Sequence, residues 1–139
     1  MTWTAAPEVY IDEPWLLMRW DPEHQCVFTE RKAFATSVEF RGALTKVVAV
    51  SRDKHSSSLV TDTRKLELVS DEDQWWIRHT WVPLAIDAGL RKIAVVMATQ
   101  GLSKMAIERM FKGRPDPTEI LVSRMFGSVA DALVWAKET

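Results

Sequence analysis

The chain has 139 residues, 47% hydrophobic and 27% charged, and its 18 basic and 19 acidic side chains give a formal charge of −1. That length fits one domain whose core needs neither metal nor disulfide, and the near-neutral balance provides no field for nucleic acid or an anionic membrane. The lone cysteine, Cys26, excludes an internal disulfide and reads as a reduced cytoplasmic thiol. No apolar run reaches the roughly 20 residues of an integral membrane span, and the N-terminus lacks the basic-then-apolar pattern of a secretory signal.

Residues 1–14 have no clean period and read as an irregular N-terminal arm or a loose edge strand. Residues 15–20 alternate, with Leu16, Met18 and Trp20 on one face, which predicts a strand. Asp21-Pro22 is a turn signal, and residues 26–30 complete a hairpin. Thr36 and Glu39 have capping-box spacing, and Phe40, Leu44, Val47 and Val48 follow as an apolar helical stripe. Residues 51–58 read as a polar loop, and 59–62 as a buried strand. Ser70 followed by Asp71, Glu72 and Asp73 marks a helix start, because the acids complement the positive end of the dipole. This Trp-rich helix should reach Ala88, kink at Pro83 and be capped by Gly89. Residues 93–98 read as a strand buried on both faces. A helix over 102–111, a stiff loop over 112–117, a strand over 119–125 and a C-terminal helix capped by Ser128 complete the chain.

This order predicts an α/β domain with a mixed, mostly parallel sheet of about five strands and about four helices. Right-handed crossovers between strands added in sequence place the helices on one face. The other face then requires a cover, either the N-terminal arm or a second subunit.

With these elements in place, the chain resembles the small bacterial proteins of the STAS and SpoIIAA-like group. The residues that carry the resemblance are Leu59-Val60-Thr61-Asp62-Thr63-Arg64, then Pro83-Leu84 with Gly89-Leu90-Arg91-Lys92-Ile93-Ala94-Val95-Val96, then Phe126, Asp131-Ala132 and Trp135. The resemblance spans about residues 15–138 and implies a βα superhelical fold, shared with anti-sigma factor antagonists. A related architecture occurs in the lipid-binding CRAL-TRIO domains. In the phosphorylated antagonists an Asp-Ser-Ser or Asp-Ser-Thr motif followed by glycine opens the helix after the central strand. Here that point is Val69-Ser70-Asp71-Glu72. Ser70 is the position a phosphoswitch would use, but the motif is absent and Asp71 and Glu72 already carry negative charge. The plain alternative is a helix cap.

Ligands of α/β proteins gather beyond the carboxyl ends of parallel strands, which singles out Asp62, Thr63 and Arg64 as a candidate ligand or partner site. A local salt bridge is the structural alternative. Trp75 and His79 share one helical stripe with Val82 and Ile86, and Trp76 lies beside it. Those three residues, Trp75, Trp76 and His79, are candidates for a partner or apolar-ligand surface, with core packing as the alternative. The three histidines have no zinc-site spacing, and neither a nucleophile elbow nor a phosphate-binding glycine loop is present. No catalytic residue, metal or cofactor is therefore expected. The chain reads as a non-catalytic cytoplasmic module, a homodimer that binds a regulatory protein partner or a small apolar ligand. A lipid carrier of CRAL-TRIO type and an enzyme pairing Asp62 and Arg64 with a histidine are the alternatives.

Overall fold

A computed structural model describes residues 8–66, 69–97 and 120–138. Six strands form one mixed sheet in chain order: β1 (Val9–Glu13), β2 (Leu16–Asp21), β3 (Cys26–Arg31), β4 (Ser58–Asp62), β5 (Lys92–Val96) and β6 (Val122–Phe126). β1, β2 and β3 pair antiparallel, and β3 through β6 pair parallel. The sheet therefore has one more strand than expected. The extra strand is the stretch at the N-terminus that showed no period, and the register explains why. A bulge between Val9 and Ile11 breaks the two-residue alternation that marks a strand in sequence.

Helix α1 (Ser37–Lys54) opens with the predicted capping box. The Thr36 hydroxyl accepts from the Glu39 amide, and the Glu39 carboxylate accepts from the Thr36 amide. It ends at His55, which adopts the left-handed conformation. The residues read as the start of a loop, 51–54, are its last turn. Ser51 points inward and is fully buried, whereas Arg52 and Asp53 face solvent, so the polar run belongs mostly to an exposed helix face.

The Trp-rich helix has three parts: α2 (Asp71–Trp76), a π-helical turn (Ile77–Trp81) and α3 (Val82–Asp87). The Val82 amide reaches back five residues to the Ile77 carbonyl. This extra residue per turn precedes Pro83, whose ring would otherwise crowd the carbonyl four residues behind it. Gly89, at φ 106°, closes the helix as predicted, and the Leu90 amide donates to the Ala85 carbonyl.

Two apolar layers flank the sheet. The first packs α1 and the α2–π–α3 segment against Leu16, Met18, Val27, Leu59, Ile93 and Val95. The second packs the C-terminal helix, α4 (Val129–Lys137), against Cys26, Phe28, Val60, Ala94 and Val96 through Ala132 and Ala136. The expectation of helices on one face is thus corrected: α4 lies on the opposite face and covers it. The crossover rule governs a helix between two parallel strands, and α4 has no strand after it among the described residues. Ser58 Oγ donates to the Ala136 carbonyl at 2.8 Å, and Lys92 Nζ donates to the Trp135 carbonyl at 3.0 Å. These bonds satisfy carbonyls that the helix end leaves open. Of the four helices expected, the one over 102–111 and its following loop over 112–117 lie outside the described residues.

Cys26 lies in this second layer at 0% exposure. Burial, with the Asp21 charge nearby, pushes its thiol up to about 12. A thiol reagent is expected to label Cys26 only at the rate of unfolding, so labelling in proportion to urea-induced opening supports this packing. Fast labelling of the native chain at neutral pH contradicts it.

Candidate functional site

A pocket lies in the first layer on the face of the sheet, from Leu59 and Ile93 near the starts of β4 and β5 to Thr63 and Leu66 past the end of β4. Its inner lobe, about 70 Å3, is lined by Phe40 and Leu44 of α1, Ile77 and Trp81 of the π turn, and Leu59, Thr61, Thr63, Leu66, Ile93 and Val95. An adjoining lobe of about 50 Å3 shares Phe40, Leu44, Thr61, Thr63 and Leu66 and adds Leu16, Thr29, Arg31, Ala43 and Val47. The walls follow from strand phase. Val27, Thr29 and Arg31 of β3 point to this layer, as do Leu59, Thr61 and then Thr63 along β4. The π turn supplies the roof, where Trp81 Nε1 donates to the Leu44 carbonyl at 2.7 Å and ties the turn to α1.

Three hydroxyls and one cation interrupt the apolar lining. Thr29 and Thr61 are register partners, and the Thr29 hydroxyl donates to Thr61 Oγ1 at 2.9 Å. Thr61 retains its own hydroxyl proton, which has no acceptor among the described residues. The Thr63 hydroxyl donates to the Val96 carbonyl at 2.8 Å. Arg31 lies over the Phe40 ring at 5.4 Å. Its Nε is buried and has no hydrogen-bond partner among the described residues. Burial lowers its pKa, and the Glu39 charge opposes that shift.

The residues singled out in the sequence do not gather at this pocket, Thr63 excepted. Asp62 is buried on the opposite face of the sheet and accepts three bonds from Arg64: from the backbone amide at 3.1 Å, Nε at 3.0 Å and one terminal nitrogen at 2.7 Å. That fork satisfies the carboxylate locally, and the Asp62 carboxylate raises the Arg64 pKa. Ser70 is an N-cap whose hydroxyl accepts from the Asp73 amide at 3.1 Å.

Trp75 is 56% exposed and stacks on His79, ring centroids 4.3 Å apart, while Trp76 is half-buried under the Arg41 guanidinium at 5.3 Å. The stripe that faces the core is instead Ile77, Trp81 and Ala85. These three residues stand four apart, so they share a side of the helix that Trp75 does not.

Two of the three histidines are occupied separately. His24 closes the β2–β3 turn against Asp21, its Nδ1 at 3.1 Å from the carboxylate. His79 Nδ1 lies 2.9 Å from the Trp75 carbonyl. None bonds Asp62, so an acid-base grouping of Asp62, Arg64 and a histidine is not assembled among the described residues. Those residues also contain no cluster of His, Cys, Asp or Glu able to hold a metal, and none of their helices is long and apolar enough to cross a membrane.

Sequence reasoning missed Arg31, Phe40, Thr29 and Thr61 as a group. A signal was present: Val27, Thr29 and Arg31 alternate inward, which puts a cation in the apolar phase of a buried strand. No known family model matches the chain, and no curated protein matches it.

Proposed function

We propose that this chain is a non-catalytic binding module that holds a small, mostly apolar ligand in the pocket between α1, the π turn and β3–β5. The observation that carries the reading is the pocket itself: a largely apolar recess between the helices and the sheet whose far end, at Thr63 and Leu66, reaches past the carboxyl end of β4, the side on which α/β domains bind ligands. Its lobes of about 70 and 50 Å3 suit a compact group and favour it over the acyl chains of a lipid. The in-sequence strand order, with β3 through β6 parallel, supports the STAS and SpoIIAA-like resemblance, and a regulatory role in the cytoplasm rests on that resemblance. The test is titration of 15N-labelled protein with toluene. Amide shifts concentrated at Leu44, Thr61 and Ile77 support the reading, and shifts spread evenly over the surface, or none, overturn it.

A second reading, contact with a protein partner or a second copy, is favoured by one observation. Trp75 presents a large ring to solvent beside Trp76 and Arg41. Native mass spectrometry tests the homodimer: twice the chain mass supports it, and a monomer at micromolar concentration counts against it.

A further inference from the structure

We propose that the ligand is a compact carboxylate, with its apolar body in the inner lobe and its carboxylate held by Arg31. This rests on the binding reading above and specifies the chemistry of the ligand.

The first argument is the state of Arg31. It lines the adjoining lobe, its Nε is withdrawn from water, and no described residue accepts from that nitrogen. A buried cationic donor without an acceptor is costly, and a ligand oxyanion removes that cost. The neighbouring acid does not fill this role. Glu39 acts on Arg31 through its charge, but its carboxylate is committed to the Thr36 amide in the α1 cap. Other arginines are already paired: Arg41 with Asp73, Arg52 with Asp87 and Arg64 with Asp62. Arg78 also has a buried Nε without a partner, but it lines neither lobe.

The second argument is the polar lining. Thr61 faces both lobes and has a hydroxyl proton to donate. Together with the planar guanidinium fork, it offers convergent donors and no acidic acceptor, the pattern that a carboxylate fits. A single cation in an apolar setting favours one negative charge over the two of a phosphate monoester, whose desolvation is more costly.

The third argument is size. A cavity of roughly 150 Å3 accepts a benzene ring, and the lobes, about 70 and 50 Å3, are smaller, which restricts the ligand to a compact body. A branched carboxylate of roughly four to six carbons is nearest that space, and a single aromatic ring is its upper limit.

The probes are benzoate, its neutral isostere benzamide, and toluene, each titrated into wild-type protein and Arg31→Met. In the wild type, benzoate is expected to bind about tenfold or more tightly than benzamide. In Arg31→Met that preference should fall to within roughly twofold, with toluene affinity unchanged. Toluene binding to the variant also shows that its pocket is intact. Equal affinity for benzoate and benzamide in the wild type overturns the carboxylate assignment and leaves the binding reading standing. A benzoate preference that survives Arg31→Met overturns the role of Arg31. Failure of all three probes to reach the pocket overturns both readings. Should Arg31→Met fail to fold, Arg31→Lys replaces it. That variant keeps the charge and loses the fork, and an intermediate benzoate preference is the supporting result, with full retention the overturning one.

Discussion

Replacing Trp81 with alanine is expected to lower the unfolding free energy by about 3–5 kcal/mol. The indole is 2% exposed and packs among the residues that roof the pocket, so its removal enlarges a space already open beside it. Partial collapse, which softens many large-to-small substitutions, has little to work with there. The change also leaves the Leu44 carbonyl without the Nε1 donor that ties the π turn to α1. Trp81→Phe separates the two effects. It keeps most of the ring and loses the bond, with an expected cost of about 1–2 kcal/mol. Urea unfolding of the three proteins measures both, and a Trp81→Ala loss under about 1 kcal/mol would contradict the packing described. Saturating indole should stabilise Trp81→Ala more than the wild type, because it binds the folded variant only.

Asp73→Ala is expected to cost about 2 kcal/mol, from a position where the sequence suggests only a helix-dipole effect. The Asp73 carboxylate is buried between the starts of two helices. Its Oδ1 accepts from Ser37 Oγ at 2.7 Å and from Arg41 Nε at 2.8 Å. The backbone amide of the same residue donates to the Ser70 cap. One side chain therefore fastens the start of α1 to the start of α2. Arg41 is 36% exposed, so solvent screens part of the pair, which holds the figure below that of a fully buried ion pair. A double-mutant cycle with Arg41→Ala should return a coupling of about 1 kcal/mol or more. Zero coupling would mean the contact contributes nothing to stability.

Local signals in this chain are read correctly wherever one rule acts alone. The capping box at Thr36 and Glu39, the cap at Gly89 and the alternation of β2 each depend on a few adjacent residues, and each stands in the structure. The reading failed where two rules compete. In β1 a bulge cancels the alternation, so the sequence leaves an arm and a loose edge strand both open, and the structure has the edge strand. In the Trp-rich helix, Pro83 signals a break but does not say how it is accommodated. The π turn accommodates it, and the side that faces the core is Ile77, Trp81 and Ala85 rather than the Trp75 stripe. The face chosen by α4 is a tertiary outcome, set by small residues such as Ala94, Ala132 and Ala136 that let helix and sheet approach closely. The candidate site was illegible for a related reason. Asp62 and Arg64 attract notice as charges at a strand end, but they neutralise each other. Arg31 matters because of where strand phase points it, between residues of α1 and β4 that only the fold brings near.

The placement of α4 bears on how the polypeptide emerges from the ribosome. Cys26, Phe28 and Val60 are made early, whereas Ala132 and Ala136, which cover them, are made more than seventy residues later. Until the C-terminal helix clears the exit tunnel, one side of the nascent sheet presents bare apolar surface and a reachable thiol, the condition under which chaperones engage partly made domains. A ribosome stalled just before Val129 should therefore hold a chain whose Cys26 reacts within seconds, and a chain extended until α4 is free of the tunnel should protect it.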